Sequence, residues 1–213
     1  YIGFTAVALF VIWGVVFITE SERPIPITYA KQVRGNKVYG GVSTYLPLRV
    51  NQAGVIPIIF AISILLFPQM IANFLVNASN SIIQSVAQFT LSAISNQWFY
   101  GISYFLLVFM FTYFYTAITF DPDSISKNLQ RSGAFIPGVR PGVSTSSYVA
   151  KTLLRLTMIG ALFLSFIAVL PLIVKAFTGI SAVAIGGTSL LIVVSVVIDL
   201  VNKIDAQISA REY

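Results

Sequence analysis

Residues 50–120 are 71 consecutive positions without one charged side chain. A soluble domain has no place for such a run, because roughly 25% of its residues are charged and its helices turn a polar face to water. Over the whole chain of 213 residues only 9% are charged and 57% are apolar. The hydrocarbon layer of a bilayer is about 30 Å thick, so a helix rising about 1.5 Å per residue crosses it in about 20 residues. The charge-free run therefore holds two crossings and the turn between them. Inside hydrocarbon every backbone N–H and C=O must find its partner within the protein, which leaves helices or closed barrels. Unbroken apolar runs of this length predict helices. Five spans are predicted, at 1–19, 53–76, 98–120, 156–174 and 180–201. The fold class is an all-α polytopic membrane protein, with 1–213 as one unit.

The charges that remain are grouped. Residues 20–52 carry Arg23, Lys31, Arg34, Lys37 and Arg49 against Glu20 and Glu22, and residues 121–155 carry Lys127, Arg131, Arg140, Lys151 and Arg155 against Asp121 and Asp123. Each island has a net charge of +3, while the connections at 77–97 and 175–179 hold only Lys175. The positive-inside rule then predicts two large cytoplasmic loops and a cytoplasmic C-terminus. The chain opens at Tyr1 inside an apolar run, which predicts a piece of a longer protein.

Within the first island, extended runs at 25–33 and 38–48 flank Arg34-Gly35-Asn36-Lys37, and this spacing predicts a hairpin. Asp121-Pro122-Asp123-Ser124 is a helix start, with acids at the positive end of the dipole, for a helix running to Ser132. The Pro/Gly stretch from Gly133 to Gly142 ends that helix and projects Arg140 from a shaped tip. Residues 77–97 are polar but uncharged, with Ile82, Ile83, Val86, Phe89 and Leu91 near helical spacing, and predict an interfacial segment on the outer side. Trp98, Phe99 and Tyr100 sit where an outer aromatic belt belongs, and Val108 in the same span is predicted to face lipid.

There is no Cys and no His, which removes thiolate nucleophiles, imidazole bases and most zinc or haem sites. No enzyme and no cofactor are expected. Ion-coupled carriers place ionisable groups at mid-bilayer. The nearest candidate here, Asp199, lies close to the end of the last predicted span beside Lys203. Loops of this size are longer than joining neighbouring helices requires, which points to a docking partner. Tyr29, Tyr39 and Tyr45 among the basic residues also suit RNA, while positive-inside topology alone accounts for the charge.

Pro47-Leu48-Arg49-Val50-Asn51-Gln52-Ala53-Gly54-Val55-Ile56-Pro57, then Ser132-Gly133-Ala134-Phe135-Ile136-Pro137-Gly138-Val139-Arg140-Pro141-Gly142, then Gly186-Gly187-Thr188-Ser189-Leu190-Leu191-Ile192-Val193-Val194 resemble, in order, motifs of the SecY family, the central subunit of the bacterial protein-translocation channel. The resemblance implies the C-terminal half of such a subunit, from its sixth to its tenth transmembrane helix. Five helices would then form half of a ten-helix clamshell around a pore that opens across the membrane and sideways into it.

Position by position, the resemblance places Ile59 and Ile192 in the apolar pore ring. It places Pro57, Ser63, Phe67 and Pro68 on the lateral-gate helix, and Arg140 at a docking tip. Arg34, Lys37, Arg49, Lys127 and Arg131 fall in the same partner-docking loops. The implied partners are the N-terminal half, SecE- and SecG-like subunits, the SecA ATPase, the ribosome, signal sequences and nascent polypeptides, and anionic lipids. The implied location is the plasma membrane of a bacterium. One departure is local: the family often pairs basic residues after the hairpin glycine, whereas Gly35 is followed here by Asn36 and then Lys37. The rival reading is a fragment of a solute transporter, which predicts polar or charged ligands at mid-bilayer instead of an apolar ring.

Overall fold

The computed structural model describes residues 9, 12–14, 16–30, 32–34, 37–39, 41, 43–77, 80–178 and, near the C-terminus, 192, 193, 196, 197, 200, 201 and 204. Most of the first and fifth predicted spans, the small-residue segment 186–189, Asp199 and Lys203 lie outside the described residues. Backbone at 12–14 and 16–20, and at the described positions from 192 to 204, is helical.

The first basic island is a β-ribbon. Strand β1 (Glu22–Tyr29) pairs antiparallel with β4 (Ser43–Arg49), and β2 (Gln32–Arg34) with β3 (Lys37–Tyr39). One register runs through both ladders: four residues beyond Thr28↔Ser43 on each strand lies Gln32↔Tyr39. The expected hairpin is present. Ile25 and Ile27 alternate inward on β1 and Leu48 on β4, the period-two pattern of a sheet with one covered face.

A third strand, β5 (Ala134–Phe135), comes from the second island and pairs with Thr28 and Tyr29. The Ala30 N–H also donates to the Gly133 carbonyl at 2.9 Å. Because β5 covers only the end of β1, Pro24 and Pro26 keep a free sheet edge, where proline's missing N–H costs little.

Among the described residues, three helices are long and apolar enough to cross a membrane. Helix α1 (Ile56–Leu75) has Pro57 in its first turn and Pro68 in its interior. Helix α2 (Ser81–Ser95) follows, capped by the Asn80 side chain accepting from the Ile82 N–H at 2.9 Å. Helix α3 (Gln97–Thr119) is capped by Asn96 in the same way. The short α4 (Pro122–Arg131) starts on Asp121 as expected, and α5 (Val143–Thr178) is 36 residues long. The fourth predicted span, 156–174, is thus about half of a longer helix whose start lies within the second basic island.

Two buried clusters result. In the apolar layer, Val55, Ile58, Ala61 and Leu65 pack with Tyr104 and Val108 of α3 and with Leu164 and Ala168 of α5. Val108, expected to face lipid, is 0% exposed: α3 buries Gly101, Tyr104, Val108, Thr112 and Thr116, so its exposed side is the stripe Trp98, Ile102, Leu106, Met110, Phe114 and Ile118. Such an inversion is natural in a membrane, where close helix packing selects small residues for the contact face. The second cluster joins Ile25, Ile27, Leu48, Ala134 and Ile136 to Val149 and Leu156 of α5.

The clusters meet where the ribbon's base crosses α5. A methyl group added at Gly160 would lie 2.6 Å from the Val50 carbonyl oxygen, whereas one at Gly101 would approach Val169 only to 3.8 Å. Gly160→Ala is expected to destabilise the fold by about 1–3 kcal/mol through overpacking. Gly101→Ala is expected to be neutral or stabilising by up to about 1 kcal/mol through helix propensity. Thermal unfolding of both variants in detergent checks the contrast.

Candidate functional site

The second basic island is built as a rigid tip. Asp121 accepts from the Asp123 N–H at 3.0 Å and from the Ser124 hydroxyl at 2.6 Å. These hydrogen bonds, that of Ser124 foremost, hold its carboxyl below the usual carboxylate range. The Ser126 hydroxyl reaches across to the Gly142 carbonyl at 2.7 Å, and Ser146 bonds the Asp123 carboxylate, so the far end of the 133–142 loop and the start of α5 are tied back to α4. Gly133, Gly138 and Gly142 take φ values of 68°, 82° and 100°, a region closed to most side chains, which is why the turn is written with glycine. Ile136 plugs the loop into the core, and Thr145 Oγ1 donates to the Arg140 carbonyl at 2.9 Å. Arg140 itself is exposed.

Lys127 and Arg131 are exposed one turn apart on α4, and Arg49 is exposed at the ribbon's base. Arg34 and Lys37 are backbone partners at the last described rung of the ribbon. Since β5 bonds to β1, these residues belong to one connected basic unit and not to two independent loops. Sequence reasoning missed β5: a two-residue strand leaves no periodicity to read.

On α1 the structure separates the named residues. Ile59 (44% exposed), Ser63 and Phe67 (61% exposed) lie four residues apart on one open face, whereas Pro57 is buried on the other side and Pro68 is exposed. Ser63 donates to the Ile59 carbonyl at 2.8 Å. Beside it a shallow groove of about 410 Å3 is lined by Ser63, Leu66, Phe67, Gln69, Met70 and Asn73. Ile192 is half-buried in helical backbone. Among the described residues, no cluster of three or more His, Cys, Asp or Glu is placed to hold a metal.

A mostly helical membrane protein with a basic β-ribbon, whose base leads into the apolar helix α1, is the class these features define. The SecY family model matches residues 1–201, and the chain belongs to the SecY family. It is 44% identical over 213 residues to the protein translocase subunit SecY of Thermotoga maritima, covering 100% of this chain and 47% of that protein. Against the protein of the same name from Mycobacterium tuberculosis it is 44% identical over 220 aligned positions, covering 99% and 50%. For that of Thermus thermophilus the values are 40% over 213 residues, covering 100% and 48%. The chain spans about half the length of the curated relatives it matches.

The join between the islands is directly testable because the chain has no cysteine of its own. Antiparallel partners lie about 4.5–5.5 Å apart at Cα, inside the range a disulfide spans. Thr28→Cys with Phe135→Cys, partners in the sheet, is expected to form a disulfide under mild oxidation. Thr28→Cys with Arg140→Cys is expected to stay reduced. Electrophoretic mobility with and without reductant distinguishes them.

Proposed function

We propose that this chain is the C-terminal half of a protein-conducting channel, translocating secretory polypeptides across the plasma membrane of a bacterium and releasing membrane helices sideways. The carrying observation is the open face of α1, with Ile59, Ser63 and Phe67 in line, in a chain whose family match runs through residues 1–201. In this reading Ile59 and Ile192 contribute branched aliphatic side chains to a dry ring, which excludes ions by dewetting and yields to a passing chain. The other half of the ring and of the lateral gate comes from the N-terminal half of the channel, forming the ten-helix clamshell, with SecE- and SecG-like subunits alongside. Pro57 fixes the first turn of the gate helix, and Pro68 removes one backbone hydrogen bond inside it.

The chain supplies no energy source of its own in this reading; SecA or a translating ribosome pushes the substrate. Arg34, Lys37, Arg49, Lys127, Arg131 and Arg140 form the docking surface on the cytoplasmic side, where anionic lipids also gather against basic residues. A guanidinium held on a rigid tip suits carboxylate or phosphate, so the same surface serves a protein or an RNA partner. A solute carrier fits less well, because α1 and α3 carry no charged side chain at all.

Two experiments test this. With the N-terminal half supplied, a photo-crosslinker at Ile59 or Ile192 is expected to capture an arrested secretory polypeptide, while one at Met110, on the lipid stripe of α3, does not. Equal or absent labelling in an assembled complex refutes the pore assignment. Arg140→Glu is expected to lower SecA-dependent export by about tenfold or more, the scale of losing one charge-assisted hydrogen bond of roughly 1.5–3 kcal/mol. Membrane insertion of the variant should be unchanged, and normal export would remove Arg140 from the docking surface.

A further inference from the structure

At the end of the helices away from the basic islands, α3 and α5 part to leave an apolar groove of about 590 Å3. The size is that of a ligand pocket, typically about 300–1,000 Å3. Its floor is Gly101, with Phe105 on the same helix and Val169 and Leu172 across from it. The recess exists because position 101 has no side chain: even a Cβ there would stand 3.8 Å from Val169. Ile102, Leu106 and Ile173 border it and are exposed, so the groove opens sideways where the hydrocarbon layer lies.

The rim is polar and defined. Gln97 Nε2 donates to the Leu172 carbonyl at 2.9 Å, tying the first residue of α3 to α5 across the mouth. Trp98, 79% exposed, stands beside it at the depth where indoles meet headgroups. One turn of α5 further out is Lys175, in the helix's last turn and half-buried. It is the sole charged residue in the connections 77–97 and 175–179. A lysine at this depth extends its ammonium to the interface while its stem lies along apolar surface. A recess for a chain, an amphipathic indole at its mouth and one isolated cation at headgroup level together match one kind of occupant.

We propose that a phospholipid of the leaflet opposite the basic islands lays one acyl chain in this groove and sets its anionic headgroup against Lys175. This rests on the helices spanning a bilayer and not on the translocation reading, so either can fail alone. The complex containing this chain is reconstituted in nanodiscs with phosphatidylglycerol or phosphatidylcholine brominated high on the acyl chain. Quenching of Trp98 fluorescence is read as the difference from Trp98→Phe.

Half-maximal quenching is expected at a several-fold lower mole fraction of the anionic lipid than of the zwitterionic one. Lys175→Gln should bring the two half-points together, and Gly101→Leu, which fills the floor, should weaken quenching by both lipids. Equal half-points in the native sequence, or a preference that survives Lys175→Gln, overturn the headgroup assignment. No quenching by either lipid means that protein fills the groove, and overturns the proposal outright.

Discussion

Helix α5 carries both halves of the structure because it is longer than the layer it crosses. Its 36 residues extend about 54 Å at 1.5 Å per residue, against a hydrocarbon thickness of about 30 Å. The excess projects on the side of the basic islands, and there Val149 and Leu156 become the wall on which the β-ribbon and the Arg140 loop pack. Further along, Leu164 and Ala168 of the same helix pack into the membrane core. The buried ridge continues through Gly160, where the Val50 carbonyl sits too close for any side chain. That approach adds to the packing that sets the height of the ribbon's base relative to the helices.

The consequence is a short mechanical path. Strand β4 ends at Arg49 and α1 begins at Ile56, and the six residues between are braced by the Asn51 side chain donating to the Gly54 carbonyl at 3.2 Å. Gly54 takes φ 62° to make the turn. On the other side, β5 binds the Arg140 loop to β1. A load on either basic loop is therefore carried by the same sheet, whose base abuts α5 and runs through six residues into α1.

Much of this was legible in the sequence, and what was not has physical reasons. The charge-free run announced α1 and α3 because hydrocarbon admits no other solution for an unbroken apolar stretch. The hairpin and the Asp121 cap were legible because local turn and cap chemistry determines them. The facing of α3 was not, since that helix is apolar on every side and the residues it buries are partly its smaller and more polar ones, Gly101, Thr112 and Thr116. Thr112 and Thr116 satisfy their hydroxyls within the helix, on Val108 and Thr112 carbonyls at 2.7 Å, so polarity gave no clue to burial. As for Ile59, nothing in an isoleucine within an apolar span separates a pore ring from a lipid contact; only the family resemblance singled it out.

The open face of α1 is where chemistry argues beyond pattern. A lipid-facing surface should be uniformly apolar, as the α3 stripe from Trp98 to Ile118 is. The α1 face instead mixes Ile59, Phe67 and Met70 with Ser63, Gln69 and Asn73. Ser63 is satisfied by its own helix, but primary amides in hydrocarbon cost several kcal/mol each unless a partner meets them. Water would satisfy the amides and leave the phenylalanine and methionine exposed. Such a mixture suits contact with protein better than either solvent, which agrees with the proposed gate reading of this face. In that proposed reading, opening would trade one imperfect environment for another, instead of exposing a wholly apolar seam to water or a wholly polar one to lipid.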